Sequence, residues 1–82
     1  MIASSASYDA DADVLYVELQ RGLATRTVSV DDLRLIDYSA DGAVIGVEFV
    51  GASGGVDLRD LPFRQTIEKA IGDSGLPIRI LA

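Results

Sequence analysis

Apolar and polar positions alternate with period two through much of residues 1–50, and a helical period replaces that alternation near the end. Ile2, Ser4, Ala6 and Tyr8 fall on alternate sites and predict a short first strand, which residues 9–13 interrupt. Residues 14–19 predict a second strand, with Leu15, Val17 and Leu19 on one face and Val14, Tyr16 and Glu18 on the other. Residues 24–30, ATRTVSV, are β-branched and one-sided enough for a third. The strongest local signal is a hairpin with arms at 33–39 and 43–50 around Ala40-Asp41-Gly42, because Asp-Gly between alternating apolar runs suits a tight reversal.

Residues 51–57 form a Gly-rich loop, too short for an interdomain linker. A helix is expected over 60–72: Asp60 can cap it, Pro62 tolerates the missing amide hydrogen, Phe63, Ile67, Ala70 and Ile71 recur at helical spacing, and Gly72 can end it. Arg64, Gln65, Glu68 and Lys69 then face water. Residues 76–81 are a candidate last strand, confined to an edge by Pro77. The expected architecture is a single α+β domain over residues 1–82. It has a small antiparallel, meander-like sheet of four to six strands, its core at 8–50, and one helix from the C-terminal half packed on one face.

Several strands are apolar on both sides, whereas a sheet with one wet face alternates cleanly. If Leu15, Val17, Val28, Leu33, Leu35, Ile45, Val47 and Phe49 face the core, the second face still carries Val14, Tyr16, Ile36, Tyr38, Val44 and Val50. One helix covers one face. The remaining patch predicts an interface at those six residues, with the tyrosines giving large contact area for little entropy. The other way to cover it is for the terminal strand or the Ser-rich start to fold back over it.

Charge narrows the choice of partner. Residues 1–57 hold ten acidic and three basic side chains, residues 58–82 three and four, so the front is the acidic body of a chain with net charge −6. That field repels phosphate backbones and steers basic partners, which argues against direct binding of nucleic acid. No apolar run approaches a membrane span and the start lacks the pattern of a signal peptide, so the expected location is the cytoplasm. A chain of 82 residues buries only ~60–65% of its unfolded surface, which makes a partner subunit welcome. A homodimer or a small basic protein partner is the expectation.

With neither cysteine nor histidine, thiolate and imidazole metal sites and the usual proton shuttle are excluded, and no cofactor is implied. Ser4, Ser5 and Ser7 lack an activating base, the only lysine, Lys69, sits on the wet side of the expected helix, and no catalytic activity is expected. Asp9, Asp11 and Asp13 have two readings. They carry the first half of a calcium-loop pattern, but Val14 and Gln20 stand where its glycine and bidentate glutamate belong. The plainer reading is turn chemistry, with carboxylates accepting backbone amides two residues on. An oxygen-ligand divalent cation or a small molecule at this turn is the alternative function.

YDADADVLYVEL and DYSADGAVIGVEF together resemble the bacterial domain-of-unknown-function family 2283. Tyr8, Asp9, Asp13, Leu15 and Tyr16 match the first part of its pattern, and Asp37, Tyr38, Asp41, Gly42, Gly46, Val47 and Glu48 the second. The likeness spans residues 8–50 and departs at Ser39, where the family usually has an acidic residue. It implies a small α+β fold with an antiparallel sheet and no established activity. Members described beside small toxin-like proteins associate the family with antitoxin-like binding. The function expected is a protein-binding or self-associating module.

Overall fold

A computed structural model describes residues 4–82. Five strands form one antiparallel sheet: β1 Ser5–Asp9, β2 Val14–Glu18, β3 Arg26–Ser29, β4 Arg34–Tyr38 and β5 Val44–Val50. A 3-10 turn at Ala52–Gly54 and one helix, α1 Arg64–Ser74, follow. The fold class is α+β, as the alternation predicts. Ile2, assigned to the first strand, lies outside the described residues.

The spatial order is β1-β2-β5-β4-β3, which is not a simple meander. β5 sits between β2 and β4, and residues 19–25 carry the chain from β2 to the far edge. Seven extended residues reach about 23 Å and three interstrand steps need about 14 Å, so the crossing is easily spanned. The amides of Leu19 and Gln20 both donate to the carbonyl of Ile45, and the Gln20 side-chain amide donates to that of Val44, pinning the crossing over the end of β5.

One face of the sheet is closed. Leu15, Val17, Ile36, Val47 and Phe49 line it, α1 covers its β1–β2 half with Ile67, Ala70 and Ile71, and Ala52, Val56, Leu58 and Leu61 complete the core. The expected phase holds for β2 and for β5 beyond its first residues: Leu15, Val17 and Val47 are fully buried and Phe49 is 1% exposed.

The phase of β4 is the reverse of the expectation. Arg34 pairs with Phe49 and Ile36 with Val47, so Arg34, Ile36 and Tyr38 face the core side while Leu33, Leu35 and Asp37 face away. The cause is the pair of ionisable residues. Putting Leu33 and Leu35 inside would bury the short Asp37, whereas Arg34 packs its stem on the core and carries its guanidinium to the margin. Val28, also expected in the core, lies near the edge and is 41% exposed.

The helix begins and ends later than expected. Asp60 and Phe63 both adopt left-handed backbone, α1 starts at Arg64, and Phe63 is exposed rather than packed. At the other end Gly72 stays inside the helix and Gly75, at φ 73°, supplies the left-handed cap that a side chain resists. Arg64, Gln65, Glu68 and Lys69 are exposed as predicted. Residues 76–81 join no edge of the sheet; Ile80 bridges Val56 in parallel, where the Val56 amide donates to the Arg79 carbonyl and the Leu81 amide to that of Val56. Among the described residues no helix is long and apolar enough to cross a membrane.

Candidate functional site: the open sheet face

The register places the side chains of the second face in three rows. The first is Asp9, Val14 and Val50, continued by Leu33, whose carbonyl accepts the amide of Val50. The second is Ser7, Tyr16, Glu48, Leu35 and Ser29. The third is Ser5, Glu18, Gly46, Asp37 and Thr27. Val14, Val50 and Leu33 in the first row and Leu35 in the second therefore form an apolar strip that Asp9 bounds at the β1 edge, and the second and third rows are acidic through Glu48, Glu18 and Asp37. None of these positions carries lysine or arginine.

Tyr16 ties the rows together. Its hydroxyl donates to Asp37 Oδ2 at 3.1 Å, across the intervening β5, and the Thr27 hydroxyl donates to Asp37 Oδ1 at 2.5 Å. The path is open because Gly46 lies beneath the phenol. Burial pushes the Tyr16 hydroxyl up to about 12, helped by the hydrogen bond to Asp37 and by the negative charges of Asp37, Glu18 and Glu48. The phenol thus stays neutral, a hydrogen-bonded anchor in an acidic setting.

Of the six interface residues expected from sequence, Val14, Tyr16 and Val50 occupy this face. Ile36, Tyr38 and Val44 do not. Ile36 is buried on the helix side for the reason given above. Tyr38 shares its phase and packs against the core beneath the Arg26 guanidinium, 4.9 Å from the ring centre. Val44 follows it because the register shifts between Asp37 and Tyr38, pairing Tyr38 with Val44 and returning Val44 to the core side. Leu33, 56% exposed, and the half-buried Leu35 replace them. Sequence reasoning missed both, although the position of Asp37 two residues beyond Leu35 held the signal. Glu18, placed on this side of β2 by the alternation, lies here together with Glu48, while Arg34 is on the other side of the sheet and cannot pair with them. Among the described residues neither glutamate has an ion-pair partner.

The aspartate turn is built as a joint. Asp9 Oδ1 accepts the amides of Asp11 and Ala12 at 3.0 and 3.3 Å. Asp13, at φ 55°, accepts the Tyr8 hydroxyl and the Ser53 amide on Oδ1 at 2.6 and 2.8 Å and the Ser53 hydroxyl on Oδ2 at 2.6 Å. Its carbonyl takes the amides of Gly51 and Ala52. The Ser53 hydroxyl and then the Tyr8 hydroxyl hold the Asp13 carboxyl below its usual range, while the same bond to Asp13 raises Tyr8. Asp9 and Asp13 are thus committed to different partners, and among the described residues no three acidic side chains converge for a metal. In the second hairpin the Ser39 hydroxyl donates to Asp41 Oδ1, which an ionised acidic residue in its place could not do, and accepts the amide of Ala43.

Arg34 anchors the margin of the core. Its Nε and Nη2 reach Asp31 Oδ2 at 2.9 and 2.8 Å, and Nη1 donates to the carbonyls of Asp57 and Arg59. Beside it a depression of about 220 Å³ is lined by Leu33, Arg34, Phe49, Val56 and Leu81. That falls below the ~300–1,000 Å³ of small-molecule sites.

The residues that carry the sequence resemblance are the ones that shape this face and its joints: Tyr8 with Asp13, Tyr16 with Asp37 over Gly46, and Asp41 in the hairpin turn. A comparison with family models agrees. The family described as "Protein of unknown function (DUF2283)" matches residues 6–53, more than half of the chain, and the chain belongs to that family. No curated protein and no solved structure gives a significant match.

Proposed function

We propose that the open sheet face is a protein-binding surface for a basic partner that also carries an apolar strip. The observation behind this reading is the layout of the face: Val14, Val50, Leu33 and Leu35 lie side by side, next to Tyr16 and three carboxylates with no cation among them. Apolar contact supplies affinity, and Glu18 and Glu48, which have no ion-pair partner among the described residues, supply selection and steering. Stacking two copies face to face brings like charges together, which favours a heterologous occupant over a second copy on this surface. A small toxin-like protein is the form of partner that the family association suggests. No role in catalysis is assigned to the face.

The test is co-purification from the native host followed by titration of the recovered partner at several salt concentrations. A stoichiometric basic partner is expected, bound at least tenfold more weakly by Leu35→Glu and with a shallower salt dependence for Glu18→Gln/Glu48→Gln. Recovery of no stoichiometric partner, or of one indifferent to both variants, removes this reading.

A further inference from the structure

We infer that β3 is a self-association edge, through which two copies pair antiparallel and continue one sheet into the other. This does not rest on the open-face reading, since it uses the rim of the sheet and leaves both faces free.

The backbone of β3 is prepared for a neighbour. The amide of Val30 donates to the Arg34 carbonyl at 2.8 Å, which makes 30 and 34 a hydrogen-bonded pair. By the alternation of an antiparallel ladder, Val28 with Ile36 is another, while Thr27 and Ser29 turn their amides and carbonyls outward. Every residue from 21 to 30 is exposed, so among the described residues nothing packs over this strand. Edge strands are often blunted by Pro or by charge; β3 has no Pro or Lys, and its one charged side chain, Arg26, stands at the start of this four-residue strand, leaving Thr27, Val28 and Ser29 uncharged. At the opposite rim α1 packs over β1, where an added strand has to clear the helix. The β3 rim has no such obstacle.

The side chains select a second copy as the occupant. Centring an antiparallel pair on Val28 sets Thr27 of each copy against Ser29 of the other, so that all the outward groups are used at once. The same register brings Val28 against Val28, burying an apolar side chain that is 41% exposed in the single chain, and sets Arg26 opposite Val30, itself 37% exposed. Arg26 then stands beside the acidic turn Asp31-Asp32 of the other copy, and the two-fold axis repeats that pairing. The edge is thus complementary to itself in hydrogen bonding, shape and charge. A contact one strand wide is small, so the dimer forms and dissociates with concentration.

Light scattering after size exclusion, from about 5 to 500 μM, reads the mass. The expected result is a shift from the 8.7 kDa chain toward twice that mass. Ser29→Pro, which removes an outward amide, and Val28→Lys, which sets two cations on the axis, should each shift the midpoint at least tenfold upward with unchanged far-UV circular dichroism. Arg26→Glu should weaken the dimer, and adding Asp32→Lys should restore it. Hydrogen exchange of the unmodified protein needs no variant: the Thr27 and Ser29 amides should be protected at high concentration and exchange freely on dilution. A monomer throughout the range, a dimer unaffected by the edge variants, or fast exchange of both amides at 500 μM overturns the inference.

Discussion

The phenol of Tyr16 occupies the space that a side chain on Gly46 would need. A methyl group there would sit 2.5 Å from Tyr16 Cζ and 2.8 Å from the carbonyl oxygen of Val17. The second contact is with backbone, so turning Tyr16 aside relieves only part of the conflict. Gly46→Ala should therefore destabilise the fold by about 1–3 kcal/mol, as overpacking does. Urea denaturation should show only partial recovery when Tyr16→Ala is added.

Tyr16→Phe keeps the ring and removes the hydrogen bond to Asp37, for an expected loss of about 1 kcal/mol near neutral pH. The alkaline limb gives a second readout. The folded-state value of about 12 lies above the unfolded value near 10, so the stability tied to the neutral phenol is complete below pH 10 and is lost as pH rises through 12. The variant should lose less stability than the parent over that window, measured by denaturation midpoints. Equal slopes would mean that Tyr16 titrates as an ordinary tyrosine.

Arg34→Met should retain the stem contacts but leave the carbonyls of Asp57 and Arg59 without a donor, at a cost of about 2–3 kcal/mol. Asp31→Asn should cost about 1 kcal/mol or less, because that carboxylate is half exposed. If chemical denaturation finds the two equal, the ion pair rather than the carbonyl contacts carries the margin.

On the acid side the sign reverses. Asp13 is held below its usual range by Ser53 and Tyr8, and Asp57 is lowered to about 2 by the side chain and then the backbone amide of Arg59. Stability linked to these groups is present above the unfolded value near 4 and is lost as pH falls through the folded ones. Asp13→Asn keeps a residue that accepts left-handed backbone, and it should flatten the acid limb of the stability profile as pH falls below the unfolded carboxylate value near 4. A profile unchanged from that of the parent protein would remove Asp13 from the acid response.

The strands were legible wherever one face was plainly more apolar, as in β2 and β5, and the Asp41-Gly42 turn fixed the hairpin between β4 and β5. β4 was misread because Leu33 and Leu35 compete with Ile36 and Tyr38 for the interior, and the outcome depends on whether Arg34 or Asp37 can bear burial. Val44 was misread because a one-residue irregularity changes phase without marking the sequence. The position of β5 between β2 and β4 depends on long-range pairing, which no local pattern reports. Likewise the helix start yields to left-handed Phe63, where Asp60 and Pro62 argued for an earlier one. The candidate face was half legible: the excess of apolar residues was visible, and its correct members were visible only for β2 and the end of β5.

The placement of β5 also constrains how the protein can come into being. The last strand in the chain is the middle strand of the sheet, so a polypeptide growing from its amino end holds β1 and β2 as a lone ribbon until Val50 has emerged. Isolated ribbons of this kind are barely stable in water. A chain stopped before β5 is therefore not a smaller version of this protein, because its two halves have nothing in common to pair with.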